Sequence, residues 1–368
     1  FSYGQEGRAL KWPSHGSNPQ YLYEAMGMEL PDQYLDFSAN INPLGPPDAL
    51  KMKWNDFYKK VTVYPDPYSI TLKEQLSKKE QVPIDSLLVG NGGAELITLA
   101  ARMLEGKKVL LIQPTFSEYE HACRVNRCEI IIHQLEAPDF ELNLDGIHQK
   151  LRDADALFFC NPNNPTGIHY TKSDMIMMME ECEKHDCLFI LDEAFYDFLE
   201  DYQSLLPYIK RFPHLIVIRS MTKMFAIPGI RLGYAAGDPA TIAKLQNLQS
   251  HWSTNAIALA AGELCIEEEA FIRRTQTYIA NERKRLFTYH KKQGFMISAS
   301  KVNFYLLQDP YRKDQFALFE FLLKKGIIPR HTFNFPGLEG NWLRFAIKNS
   351  QENEQLMEVL NQWRKHHC

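Results

Sequence analysis

Between about residue 85 and residue 240, short apolar runs alternate with stretches in which apolar side chains recur every three or four positions. Leu87–Gly90, Lys108–Gln113, Glu129–Gln134, Ala156–Cys160, Cys187–Leu191, Leu215–Arg219 and Arg231–Ala236 read as strands. Several are apolar almost throughout, as expected of strands covered on both faces by crossover helices. The pattern therefore predicts a large α/β domain around a mostly parallel seven-stranded sheet. Glu95–Leu104, Ser173–His185 and Pro239–Leu248 carry helical spacing and would cover that sheet, with Ser173 and Asp238 as N-caps. Beyond residue 250 the pattern changes to long helices, a strand Asn303–Leu307, a helix Asp314–Lys325, a strand Trp342–Ile347 and a final helix, which is a smaller α+β domain. The stretch up to Pro47 is rich in Pro, Gly, Asn and Ser and reads as an ordered arm rather than a core element. The expected division is an arm over 1–47 that joins the small domain and the active site, a large domain over 48–250 and a small domain over 251–368.

Charge narrows the partners. With 41 basic and 45 acidic residues and no basic block, neither nucleic acid nor an anionic membrane is the expected partner, although local sites for small anions stay open. No apolar run reaches the roughly 20 residues that span a bilayer. The seven cysteines are scattered and follow no signal peptide, so a reduced cytoplasmic compartment without structural disulfides is expected. Cys182, His185 and Cys187 have metal-ligand chemistry but no fourth ligand, and read as a helix end with buried thiols; no metal is expected.

The candidate chemistry lies just after the strands, where open α/β sheets bind ligands. After Val89 comes Gly90-Asn91-Gly92-Gly93-Ala94-Glu95, small residues at a helix start whose backbone amides can approach an anion. After Cys160 comes Asn161-Pro162-Asn163-Asn164-Pro165-Thr166-Gly167, and after Leu191 comes Asp192-Glu193-Ala194-Phe195-Tyr196. After Arg219 comes Ser220-Met221-Thr222-Lys223, with Arg231 eight residues on. Adjacent residues of a strand face opposite ways, so Asp192 and Glu193 do not form a carboxylate pair. The Ser-x-x-Lys of β-lactamases is set aside because their Ser-Asp-Asn and Lys-Thr-Gly companions are missing.

Together these segments resemble the fold-type I pyridoxal 5′-phosphate (PLP) enzymes, the aspartate aminotransferase superfamily, over nearly the whole chain. The resemblance implies that Lys223 carries the cofactor as an imine and that Asp192 pairs with its pyridine nitrogen. It implies that Asn164 contacts the ring hydroxyl and that Phe116 stacks on the ring. Ser220, Arg231 and the amides of Gly92, Gly93 and Ala94 would hold the cofactor phosphate. Tyr64, in Tyr64-Pro65-Asp66-Pro67, resembles the tyrosine lent across a homodimer interface to the neighbour's cofactor. Arg344, on a predicted strand, would grip the substrate carboxylate, and Arg330 a second anionic group together with His15 and Asn40.

His15-Gly16-Ser17-Asn18 and the segment Asp36–Gly45 look like the threonine-phosphate decarboxylases of cobalamin biosynthesis, which release (R)-1-amino-2-propanol O-2-phosphate. The histidinol-phosphate aminotransferases are near relatives and the alternative. Aminotransferases usually place tyrosine three residues after the ring-pairing aspartate, where this chain has Phe195. A non-catalytic PLP-sensing effector domain is a third reading, against which stands a full set of active-site residues.

Overall fold

The computed structural model describes residues 12–367. The apolar runs form seven strands, β1 Leu87–Gly90, β2 Lys108–Gln113, β3 Glu129–Gln134, β4 Ala156–Cys160, β5 Leu188–Asp192, β6 Leu215–Ser220 and β7 Gly233–Gly237. They lie in the order β1-β7-β6-β5-β4-β2-β3. All neighbours are parallel except β7, which runs against both β1 and β6. Burial on both faces explains the unbroken apolar runs. Leu157, Phe159, Phe189, Leu191 and Val217 pack into a core on one face, while Phe158, Ile190, Ile216 and Ile218 pack into a second core on the other. Each such side chain contributes roughly 1.5–3 kcal/mol on burial, so the alternation fixes the register of the strands.

The orientation of β7 matters for the site. Because it runs opposite to its neighbours, its amino end at Gly233, with Arg231 two residues before it, meets the carboxyl ends of β1 and β6. Close approach there needs glycine, since a Cβ on Gly233 would lie 2.7 Å from the Arg219 carbonyl oxygen and 2.9 Å from the Gly93 amide.

Helix Pro239–Leu248 follows its expected cap, with the Asp238 carboxylate accepting from the Ala240 and Thr241 amides at 3.0 and 3.3 Å. The cap expected at Ser173 is corrected. Helix Lys172–Lys184 is capped by Thr171, which forms a reciprocal capping box with Asp174 and satisfies two amides at once. Cys182 and Cys187 are buried free thiols, His185 pairs with Glu181 at 3.1 Å, and among the described residues no cluster of three metal-ligating side chains occurs. No described helix is long and apolar enough to cross a membrane.

The second sheet is antiparallel, in the order Arg330–His331, Leu343–Ala346, Phe304–Gln308, Met296–Ile297, and is backed by helices Glu269–Lys292, Phe316–Lys324 and Ser350–His367. The amino-terminal stretch does more than the expected arm. Its Leu35–Asp36 pairs in parallel with Ile327–Ile328, the Phe37 carbonyl accepts from the Ala346 amide at 2.8 Å, and Leu22, Tyr23 and Phe37 enter the core. Turn-forming residues in this segment concealed those apolar anchors; residues 1–11 of the expected arm lie outside the described residues.

Candidate active site

One cavity opens between the carboxyl ends of the parallel strands and the antiparallel sheet. Its wall includes His15, Asn40, Gly93, Ala94, Phe116, Asn164, Asp192, Phe195, Ser220, Lys223, Arg231, Arg330 and Arg344. Nearly every residue singled out from sequence thus meets in one place. Two do not line it. Gly92 sits just behind, opening the helix Gly92–Met103 at φ +79, where a Cβ would lie 2.4 Å from Arg231 Nη2. Tyr64 lies elsewhere, 80% exposed, with its ring 5.0 Å from that of Trp252.

The floor combines a buried acid with a half-buried amine. Asp192 Oδ1 accepts from the Ala194 amide at 2.9 Å and Oδ2 from the Tyr119 hydroxyl at 2.6 Å. Burial pushes this carboxyl up to about 6, and the two hydrogen bonds oppose the rise. Glu193 leaves the strand on the other face, where it pairs with the buried Arg219 at 2.8 Å, so the two adjacent carboxylates are separated as the strand geometry requires. Lys223 is half-buried in the cavity wall, and no described residue forms a hydrogen bond or ion pair with its Nζ. Burial first, then Arg344 and Arg231, bring its amine down to about 8, a range in which it can gain and lose a proton near neutrality.

Around this floor the donors outnumber the acceptors. The helix Gly92–Met103 has no side-chain cap, so its first amides are free to bind an anion beside the Arg231 guanidinium and the Ser220 hydroxyl. In the antiparallel sheet, Arg330 stands directly opposite Arg344. Like charges in that relation repel, and neither arginine has a carboxylate partner among the described residues. Arg344 donates through Nη1 to Asn164 Oδ1 at 2.5 Å and through Nη2 to the Ser38 carbonyl at 2.7 Å, leaving its buried Nε unpaired. Arg330 donates through Nη2 to the Ser14 carbonyl at 2.7 Å and to Asn334 Oδ1 at 2.9 Å. Burial brings both guanidinium groups down to about 9, at which they remain charged at neutral pH. A pair of buried cations held only by neutral acceptors is a site for anions.

The sequence did not reveal Tyr119. It lies three residues after Phe116 on the helix Ser117–Val125, and that spacing brings it to the Asp192 side of the cavity. Replacing it with phenylalanine removes a hydrogen bond to a charged group worth about 1.5–3 kcal/mol. In the cofactor-free Tyr119→Phe protein the Asp192 carboxyl should therefore titrate roughly 1–2 pH units higher. Carboxyl carbon NMR would show this, and an unmoved titration would remove Tyr119 from the site's electrostatics.

These residues fit PLP. The uncapped amides, Ser220 and Arg231 match a phosphate, Asp192 matches a ring nitrogen, and the unpaired Lys223 matches an aldehyde. Residues 32–360 match the family described as aminotransferase class I and II. Threonine-phosphate decarboxylase of Salmonella typhimurium is 35% identical across 96% of this chain and 97% of that protein. An adenosylcobalamin biosynthesis bifunctional protein of Leptospira interrogans is 30% identical across 96% of this chain but 41% of its own length. The crystal structure of histidinol-phosphate aminotransferase from Clostridium acetobutylicum is 31% identical and superposes with a TM-score of 0.86, covering 90% of this chain and 99% of that one. The chain belongs to the aminotransferase class I and II family, and is an enzyme whose cofactor is pyridoxal 5′-phosphate.

Proposed function

We propose that this enzyme decarboxylates L-threonine O-3-phosphate to (R)-1-amino-2-propanol O-2-phosphate, in the service of cobalamin biosynthesis. The observation that carries the proposal is the cross-strand pair Arg330 and Arg344, two buried guanidinium groups in one cavity without carboxylate partners among the described residues. Phosphothreonine brings two anions on one substrate, a carboxylate on Cα and a phosphate on the side-chain oxygen; histidinol phosphate brings only the phosphate, but the 2-oxoglutarate that would accept its amine brings two carboxylates, so the choice between the two reactions falls to Phe195. Likeness to the Salmonella decarboxylase over nearly the full length of both chains supports the same reading.

When bound, the cofactor supplies an electron sink for a bond at Cα. The chain's residues select that bond. Arg344 would hold the carboxylate through its unpaired Nε edge, while Arg330, His15 and Asn40 would hold the phosphate, which fixes the substrate at two points and sets its torsion. As CO2 leaves, its bonding electrons stay on Cα, and Lys223 Nζ would return the proton there.

Phe195 favours decarboxylation over amino transfer. Its ring packs edge-on to Phe304 at 4.8 Å and offers no hydroxyl to the cofactor. Phe195→Tyr should raise the fraction of turnovers that end in amino transfer several-fold, by roughly the 1–1.5 kcal/mol of one hydrogen bond. Phosphate preference should stay as it was. An unchanged product ratio would remove Phe195 from the choice of reaction.

The working unit proposed is a homodimer in which Tyr64, outside its own cavity and 80% exposed, completes the neighbour's cofactor site. Mixing inactive Lys223→Ala subunits with impaired Tyr64→Phe subunits should restore activity, because one site per mixed dimer then holds both residues. Mixtures no more active than the Tyr64→Phe protein alone would count against sharing.

A further inference from the structure

His15 stands at the mouth of the cavity, and its position is set from both sides. Behind it, Arg330 and His331 hold the carbonyls of Ser14 and Pro13 at 2.7 and 3.2 Å. Ahead of it, Gly16 packs so closely on Ser38 that a Cβ would lie 2.3 Å from the Ser38 carbonyl oxygen. The ring itself reaches across to the large domain, where Nε2 meets Glu118 Oε1 at 2.8 Å; the histidine side chain is half exposed and the glutamate 25% exposed. No described residue pairs with Nδ1.

That contact constrains what His15 can do for an anion. With Nε2–H donating to Glu118, a neutral ring would present Nδ1 as a bare acceptor, which repels a phosphate oxygen. Only the protonated ring has a donor for each neighbour. We infer that Glu118 is a positioning residue for phosphate recognition, fixing His15 so that the substrate phosphate meets an imidazolium and binding takes up a proton. This rests on the phosphorylated-substrate reading above.

Other charged groups set the background. His121 acts on Glu118 from the same helix, and His15 holds the Glu118 carboxyl below the usual range. Arg330 and His331 flank the arm from the antiparallel sheet, and Lys223, Arg231, Arg344 and Asp192 face the same cavity. Of these, Glu118 is the carboxylate in contact with the ring.

The test uses the cofactor-loaded enzyme with phosphothreonine and threonine at pH 6 and pH 8. Glu118→Gln keeps the size and an acceptor oxygen but loses the charge. It should raise KM for phosphothreonine about 3- to 10-fold at pH 8, the range of a partly exposed ion pair, and less at pH 6, where protons are a hundredfold more abundant and uptake depends less on Glu118. The value of kcat should move less than about twofold, since the effect is on binding. In a His15→Ala background the same substitution should do nothing more. An equal KM effect at both pH values, an effect that persists without His15, or a lowered KM would overturn the inference while leaving the decarboxylase reading intact. If the wild-type enzyme shows no preference for phosphothreonine over threonine, the phosphate site itself falls, and the inference with it.

Discussion

Lys223→Met is expected to lower turnover by about 10^4-fold or more while making the cofactor-free protein more stable. The activity loss follows from the proposed role of Lys223, in which one amine both carries the cofactor and moves the proton at Cα, and methionine can do neither. The stability gain follows from burial. In the folded chain the Lys223 amine falls from 10.5 to about 8, with Arg344 and Arg231 adding repulsion. A fall of that size corresponds to roughly 3 kcal/mol of destabilisation at neutral pH. The sign is set by proton counting. Between about pH 8 and 10.5 the unfolded chain binds the proton that the folded chain has released, so the wild-type protein gains stability as pH rises through that window. The advantage of Lys223→Met should be full below about pH 8 and shrink toward pH 10.5. Denaturant unfolding of both cofactor-free proteins across that range checks it, and equal stabilities at pH 7 would contradict it. Borohydride treatment of the wild-type holoenzyme should attach the cofactor to Lys223, and recovery on another lysine would displace it from this role.

Arg344→Lys should cost about 10^2- to 10^3-fold in kcat/KM, far more than a change that keeps the formal charge suggests. Arg344 holds Asn164 and Ser38 with separate nitrogens, and its buried Nε, without a partner among the described residues, is the edge proposed for the substrate carboxylate. An ammonium group cannot serve three directions in one plane. It would not stay fully charged either. Burial draws the Arg344 guanidinium from 12.5 down to about 9, and an amine, which starts lower, is drawn down to about 8 even at Lys223 in the same cavity. A lysine there would thus lose part of its charge as well as the fork. Steady-state kinetics with phosphothreonine measures this, and a loss below about threefold would show that charge alone suffices.

Both effects depend on a site whose strand ends were legible in the sequence. Runs such as Ala156–Cys160 announce buried strands because both faces are apolar, and the residues that follow them inherit the carboxyl edge of the sheet. Lys223, Asp192 and Asn164 come together for that reason. Local chemistry misled at Ser173, since Thr171 and Asp174 form the better cap one turn boundary earlier. The facing of Arg330 and Arg344 was hidden because the first strand is only two residues long and the irregular stretch 332–342 separates it from the second, so register could not be counted from either. Tyr119 and Glu118 were hidden for a related reason. Each lies on a helix whose sequence shows only amphipathic spacing, and each acquires its role from a partner distant along the chain, Asp192 and His15.

In the proposed function, two buried arginines and Phe195 commit this PLP site to breaking the bond to the carboxylate. The most direct measurement supplies the holoenzyme with carboxyl-labelled L-threonine O-3-phosphate and follows the label and the amine. Labelled CO2 released in step with aminopropanol phosphate is the predicted result. Retention of the label, with efficient amino transfer from histidinol phosphate to 2-oxoglutarate by the same enzyme, would contradict it.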